Sequence, residues 1–518
     1  MSFPILSVIT FTPLVAGLLI LMLPAERKNE ARVAALATGA FTVLLALFVY
    51  FGFNPAGPRF QFVEGPYEWV PQLGITYHMA IDGFGLPMLL LTALVLFTGV
   101  LISWNIDDRP REFMAFFLFL SVGVFGVFAA QDLFLFFFLL EIAVFPKFLM
   151  IVIWGSPKTR EYGGMKLTLY LFFASVVALL GVLWMYSLSP VKTFNMIWLE
   201  EVMRAGGFDQ TLNLFGASVS AQAVWFPLIF FGFAVMGAIF PLHSWAPDGH
   251  VAAPTAISMM LAGVEMKIGM FAAFRVGITL LPEGAKFWAP VIVIVALINV
   301  VYAAYIALIQ KDFKYIIGFS SVSHMGLVMM GFATLSPNGF LGAGLQMFSH
   351  GVMTALFFSI VGMVYDRAHT RNLPDLGGFV KKMPWAAIGF IIGGFTSMGM
   401  PGFSGFVAEI PIYLGLWQGR TLPGAAFQAQ PWFFPLTAVI SVISIVITAA
   451  YILRAVQKVF FGEMPAHYEH EVGDISVLDK VAIVVLCAMM IIVGVYPAIM
   501  YPIVNAGIAP VLNLFGVN

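Results

Sequence analysis

The chain is poor in charge and nearly devoid of cysteine. Of its 518 residues 10% are charged, the net charge is −1 and one residue is cysteine. A single thiol, Cys487, cannot build a disulfide framework, a thiolate zinc site or an iron–sulfur cluster. Set in an apolar run, it reads as a small buried hydrophobe. No basic patch or arm is present to neutralise phosphates, so nucleic acid is not an expected partner. No nucleophile–base set, phosphate loop or dinucleotide fingerprint occurs in a fitting context, so the chain alone is expected to catalyse nothing. What the sequence has instead is hydrocarbon: 61% of residues are hydrophobic and the mean hydropathy is +0.97. That composition excludes disorder and points to an all-α polytopic membrane protein.

A crossing needs about 20 apolar residues. The pattern predicts about fourteen transmembrane helices, at 3–23, 31–53, 83–104, 112–130, 132–153, 164–188, 222–243, 252–277, 287–309, 314–333, 338–365, 385–417, 431–453 and 479–503. The start, Met1 to Leu23, lacks a basic leader region and a clear cleavage site, and is expected to be a retained first helix. The segment 385–417 is too long for one straight crossing and contains Met400-Pro401-Gly402, and Pro241 and Pro247 stand at and after the end of 222–243. Both segments are expected to be interrupted helices, which membranes tolerate where protein or water satisfies the freed backbone groups.

Basic residues separate by loop. Loops after odd-numbered spans hold Arg27, Lys28, Arg32, Arg109, Arg111, Lys158, Arg160, Lys311, Lys314, Arg367, Arg371, Lys381, Lys382, Arg454 and Lys458. Loops after even-numbered spans hold only Arg59, Lys192, Arg204, Lys286 and Arg420. By the positive-inside rule the odd loops are expected in the cytoplasm and both termini outside. Interrupted seventh and twelfth spans, five apart, are the expected trace of two inverted five-helix repeats around a midplane path. The expected organisation is 1–111 as an N-terminal three-helix segment, 112–277 and 287–460 as the repeats, and 461–518 as a C-terminal helix and tail.

Five ionisable groups lie inside these spans: Glu141, Lys147, Glu265, Lys267 and Glu409. At the centre of a lone transmembrane helix each costs about 2.5–3.5 kcal/mol on the lower of the contested scales, so each must face a partner, water or a polar interior. The default function of such groups is an ion or proton path. Lys147 follows Glu141 by six residues, about 240° around a helix and about 9 Å along it, so they form no ordinary i,i+4 pair. Pro146 can kink the span. Two readings of Lys147 stay open, snorkelling to the cytoplasmic interface or turning inward. For Glu141 the alternative to ion transfer is a neutral packing hydrogen bond. Glu265 and Lys267 are about 200° apart and face opposite sides of a helix. A desolvated intramembrane lysine releases its proton readily, which makes Lys267 the leading carrier.

Histidines complete the pattern. His243 and His250 flank a broken segment with Asp248, and histidine titrates near neutrality, as proton relay needs. Their spacing matches no zinc pattern, and Asp248 has an alternative role as a helix cap. Ser320-Ser321-Val322-Ser323-His324 lies on the tenth span and Ser349-His350-Gly351 on the eleventh. They offer hydroxyls and imidazoles for a water-completed relay towards Glu409, although a lone histidine in a bundle is more often a packed polar residue.

Taken in order, Ile81-Asp82-Gly83-Phe84-Gly85-Leu86, Glu141 with Pro146, Pro241-Leu242-His243-Ser244-Trp245-Ala246-Pro247-Asp248, Leu261-Ala262-Gly263 with Lys267, Ser320-Ser321-Val322-Ser323-His324-Met325-Gly326, and Pro401-Gly402 with Gly405-Phe406 and Glu409 form one pattern. It resembles the antiporter-like membrane subunits of complex I, along nearly the whole chain. Glu409, where two sister types carry lysine, makes it look like the chain M, or mitochondrial chain 4, type of NADH–quinone oxidoreductase. The resemblance implies fourteen helices, two inverted repeats and one proton-translocating unit driven by quinone reduction elsewhere in the complex. It places flavin, iron–sulfur clusters and quinone on partner subunits, with no cofactor here, and makes other membrane-arm subunits and the lipid bilayer the partners. It also implies a bacterial plasma membrane location, a thylakoid or other energy-coupling membrane being the alternative. One departure stands out: the family has a lysine on the seventh span where this chain has Met236. Lys147 and Glu265 occupy positions the family leaves uncharged. The expectation is that Lys147 stands in for that lysine, within a water-bridged distance of Glu141 or Lys267. Two other functions compete, a subunit of a related cation/proton antiporter or membrane-bound hydrogenase, and a non-pumping anchor.

Overall fold

The computed structural model describes residues 3–214, 216–419, 431–468 and 472–516; Arg420 of the loop pattern lies outside them. Six helices come first: α1 (Ile5–Met22), α2 (Lys28–Gly52), α3 (Gly85–Ile102), α4 (Pro110–Ala129), α5 (Leu133–Trp154) and α6 (Arg160–Leu188). A short α7 (Met196–Arg204) precedes a broken pair, α8 (Ala221–Met236) and α9 (Trp245–Ala252). Then follow α10 (Thr255–Ile278), α11 (Pro282–Ile309), α12 (Phe313–Ala333) and α13 (Pro337–Ala368). A second broken pair, α14 (Pro384–Ser397) and α15 (Ser404–Gln418), leads to α16 (Phe433–Val459), α17 (Val477–Val495) and α18 (Tyr501–Leu512). Among the described residues twelve helices are long and apolar enough to cross a membrane. The two expected interrupted segments are each a pair of shorter helices. The last expected span, 479–503, differs: it stops at Val495, and the chain turns through Pro497–Ile499 before α18.

Burial sorts the helices into two shells. Over their most apolar 18 residues α10 and α13 are wholly buried, and α3, α4 and α12 nearly so, while α1, α2, α6, α11, α16 and α17 have fewer than half of those residues buried. Lipid tails supply no hydrogen bonds, so the polar and charged side chains collect on the inner helices.

Specific contacts shape each break. At the first, Ala238 adopts φ 61° just past α8. Asn299 of α11 accepts from Phe240 N at 2.6 Å and donates to the Ala238 carbonyl at 2.9 Å, and Trp245 Nε1 donates to Val235 O at 2.8 Å. At the second, Gly399 takes the same left-handed conformation, φ 61°, just past α14. A Cβ there would lie 2.7 Å from Glu409 Oε2, so glycine serves both the turn and the close approach of the carboxylate.

Aspartates open α5 and α12 alike. Asp132 accepts from Phe134 N and Leu135 N at 2.9 and 3.1 Å. Asp312 accepts from Lys314 N and Tyr315 N at 2.7 and 3.1 Å. Each capping residue also forms an isolated β-bridge with an asparagine beyond the next helix, Asp132 with Asn195 and Asp312 with Asn372.

Two antiparallel hairpins lie outside the spans, β1 (Gln61–Val70) with β2 (Ile75–Ile81), and β3 (Thr211–Leu214) with β4 (Ala217–Ser220). A buried ion cluster fastens the first to the bundle. Arg275 at the end of α10 contacts Asp82 at 2.6 Å, with both side chains at most 3% exposed. Arg59 pairs with Glu200 of α7 at 2.7 Å. The Phe60 ring lies beneath both guanidinium groups, 4.9 Å from Arg59 and 5.4 Å from Arg275.

Removing Arg275 strands Asp82 as a buried, uncompensated carboxylate. Arg275→Ala is expected to cost about 3–5 kcal/mol, read as less chain recovered from membranes and a lower thermal midpoint. Gly399→Ala is expected to cost about 1–2 kcal/mol for the left-handed conformation alone, on the same measurement. A parent-like midpoint in either variant contradicts the assigned geometry.

Candidate functional site

In sequence α10 is an apolar span interrupted by Glu265 and Lys267; its hydrogen bonding adds what the sequence does not show. Two π-helical turns, Leu261–Glu265 and Ala273–Ile278, bracket a single α-helical stretch, Met266–Ala272. Such turns are common at functional sites because they re-aim side chains and loosen the i→i−4 ladder. Lys267 sits in this stretch with no measurable exposure. Its Nζ donates back to the Ala262 carbonyl in the first π turn and lies 2.6 Å from His350 Nδ1 of α13.

From His350 the polar side chains continue across the bundle. The His350 and His324 rings have centroids 5.2 Å apart. His324 Nδ1 is 2.8 Å from the Ser320 carbonyl and Nε2 is 3.2 Å from the Ser397 carbonyl at the second break. Both carbonyls receive an N–H together only when the ring carries two protons. His324 Nε2 also stands 3.9 Å from Glu409 Oε1, and Tyr413 and Gln346 hydrogen-bond the Glu409 carboxylate. The row Lys267, His350, His324 and Glu409 thus spans α10, α13, α12 and α15, every member buried.

The other expected residues lie elsewhere. Lys147 is buried and turned inward, so snorkelling is overturned: its ammonium finds a carboxylate on α10 rather than the interface. Its partner there is Glu265, by an ion pair, and neither Glu141 nor Lys267 takes that place. Glu141 is half-buried and accepts from Ser175 Oγ of α6 at 2.9 Å. It borders an outward recess of about 460 Å³ whose remaining walls are apolar, including Phe134, Phe137, Phe138 and Leu183. His243 does not join the row either. It packs among Phe240, Tyr302 and Phe319. Asp248 is no helix cap: it pairs with Lys166 at 2.7 Å and accepts from Tyr315 Oη at 2.9 Å, tying α9 to α6 and α12.

Further polar groups surround this row. His250 is fully buried, contacts the Phe358 and Trp245 rings, and has neither ring nitrogen hydrogen-bonded among the described residues. It lies within electrostatic range of Lys267, His350 and Lys314. Lys314 reads as a loop cation in sequence, but it is buried and donates to the Ala253 carbonyl at 2.6 Å, beside the start of α10. A crevice of about 290 Å³ leads to it, lined by Ser103, Ser156, Asp366 and Arg371 from the face that carries the odd-numbered loops. Among the described residues no group of three or more His, Cys, Asp or Glu is placed to hold a metal ion.

Residues 130–433 match the family described as NADH:quinone oxidoreductase/Mrp antiporter, TM. NADH-quinone oxidoreductase subunit M of Rhodobacter capsulatus is 34% identical over 510 residues, 98% of this chain and 96% of its own length. NAD(P)H-quinone oxidoreductase chain 4 of Gloeobacter violaceus is 34% identical over 497 residues, 96% of this chain and 90% of its own. A chain of respiratory complex I from Thermus thermophilus with bound NADH superposes with a TM-score of 0.83 at 26% identity, covering 98% of this chain and 99% of that one. A chain of the Mrp complex from a Dietzia species shares the fold, with a TM-score of 0.83 at 20% identity. With the family matching more than half its length and the relatives nearly all of it, the chain belongs to the NADH:quinone oxidoreductase/Mrp antiporter transmembrane family, as an antiporter-like membrane subunit of complex I.

Proposed function

We propose that this subunit translocates protons through its buried row of titratable side chains, driven by quinone reduction elsewhere in the complex. The observation that supports this is the placement of Lys267, His350, His324 and Glu409 at successive short separations inside an apolar bundle. Buried charges of this kind are rare at membrane depth and mark proton relays. Protons reach Lys267 from the crevice at Lys314, with His250 between them. Lys267 Nζ then hands a proton to His350 Nδ1, and His324 carries the charge on to Glu409. Both broken helices border this route, which fits a division into two inverted repeats. The matching Asp132 and Asp312 caps and the left-handed residues Ala238 and Gly399 fit it as well. With the basic loops in the cytoplasm, the crevice is a cytoplasmic intake and both termini face outward.

Glu141 has a different place in this scheme. A half-exposed carboxylate at membrane depth, bonded by Ser175 and facing an otherwise apolar recess, is left in need of a further polar partner from outside the chain. A helix of a neighbouring membrane-arm subunit, presenting a basic or hydrogen-bonding group, meets that need. Flavin, iron–sulfur clusters and quinone belong to partner subunits under this scheme. Co-purification of flavin and iron–sulfur subunits with this chain separates it from a free-standing cation/proton antiporter.

Lys267→Ala and Glu409→Gln are expected to assemble into the complex and lower the protons moved per NADH oxidised, measured in membrane vesicles. An unchanged yield in the assembled complex favours the structural anchor instead. Lys314→Met is expected to slow proton uptake from the crevice side while leaving Lys267 and its His350 contact in place. Retention of the parent uptake rate rules out that intake.

A further inference from the structure

Four buried phenylalanines from four separate segments meet in one layer. The Phe274 ring of α10 lies 4.4 Å from Phe84, which precedes α3, 4.8 Å from Phe332 of α12 and 5.3 Å from Phe340 of α13, centroid to centroid. Each is at most 1% exposed. Three of them share helices with the row of titratable groups: Phe274 comes seven residues after Lys267, Phe332 eight after His324 and Phe340 ten before His350. At 1.5 Å per residue the layer stands about 10–15 Å from the row. It lies on the side away from the Lys314 crevice, which opens at the start of α10 and the end of α13. A further ring pair, Phe271 of α10 with Phe128 of α4 at 5.3 Å, lies one turn nearer Lys267.

Beside Glu409 the same side of the bundle is polar. α15 runs towards that side, and Gln418 near its end takes a hydrogen bond from Asn338 at the start of α13. Tyr413, one turn past Glu409, donates to the carboxylate at 3.4 Å. Gln346, between Phe340 and His350 on α13, also bonds Glu409, and its Oε1 has no hydrogen-bond partner among the described residues. A proton moves along water or titratable groups, and an apolar constriction that stays dry offers neither. On the footing of the proposed function, we propose that the phenylalanine layer is a seal: it closes Lys267, His350 and His324 to the far face and confines proton release to the Glu409 end of the row. The phenylalanines take no part in proton transfer; they set where it can end.

The test uses the assembled complex in membrane vesicles, with two readouts: decay of an imposed pH gradient while the complex is idle, and protons moved per NADH during quinone reduction. Phe274→Ser and Phe332→Ser are expected to speed the decay several-fold and lower the yield while quinone reduction continues. Phe274→Leu, which refills the layer with apolar volume, is expected to keep the parent values. Phe357→Ser removes an equally buried ring on the crevice side of His350. It is expected to leave the decay unchanged, which separates a seal from general loosening of the bundle. Parent-like decay in Phe274→Ser or Phe332→Ser overturns the seal, and so does an equal leak in Phe357→Ser. Where neither of the first two assembles, Phe340→Ser takes their place with the same two outcomes. Lys267→Met separates the seal from the proposed function. If it lowers the yield while the serine variants neither leak nor lose yield, only the seal fails; if it keeps the parent yield, proton translocation through the row fails.

Discussion

A charged or hydrogen-bonding group at membrane depth must find its partner inside the protein, because hydrocarbon offers none. That constraint organises the chain. It buries Lys267, His350, His324 and Glu409 away from the outer surface, where each is within reach of another polar group. It requires Asn299 and Trp245 to close the backbone bonds that the first broken helix leaves open. It also makes the buried Arg275–Asp82 contact a fixed fastening between the bundle and the hairpin outside it.

The same constraint separates structural from functional charges. Arg275 contacts Asp82 and the Phe60 and Phe271 rings, and Asp82 Oδ1 also accepts from Phe84 N and Gly85 N. Lys267 has one histidine and one carbonyl, and beyond them a row of groups that alternate between donor and acceptor. Charge moves where partners can be exchanged at low cost, and it stays where each group is held by several contacts. Lys147 and Glu265 lie between these cases. They are paired, but with a carboxylate oxygen unbonded and space for water next to it.

Sequence reasoning reached the shell and the charges more readily than their connections. The apolar runs are long enough to mark the crossings directly, and Pro241 and Pro401 mark both breaks. Glu141, Lys147, Glu265, Lys267 and Glu409 are visible because so few charges interrupt the hydrocarbon. Lys314 is not visible as a buried group: it follows Lys311 and Asp312 at the end of a span, and only folding places it under the Ala253 carbonyl. Arg275 and Asp82 escaped for a similar reason, since each stands at the end of a helix where charge is ordinary.

The sequence by itself determined that the chain is an all-α membrane protein with broken helices and charges in its interior, because composition and run length control partition into a bilayer. It also carried enough of the ordered motifs to mark the complex I subunit pattern. The tertiary structure alone decided who pairs with whom. Lys147 and Glu141 share a helix, yet one turns inward to Glu265 and the other outward to Ser175. A helical wheel specifies angle about one axis, whereas pairing depends on which helix packs against that face. On α10 the π turn resets even the angle.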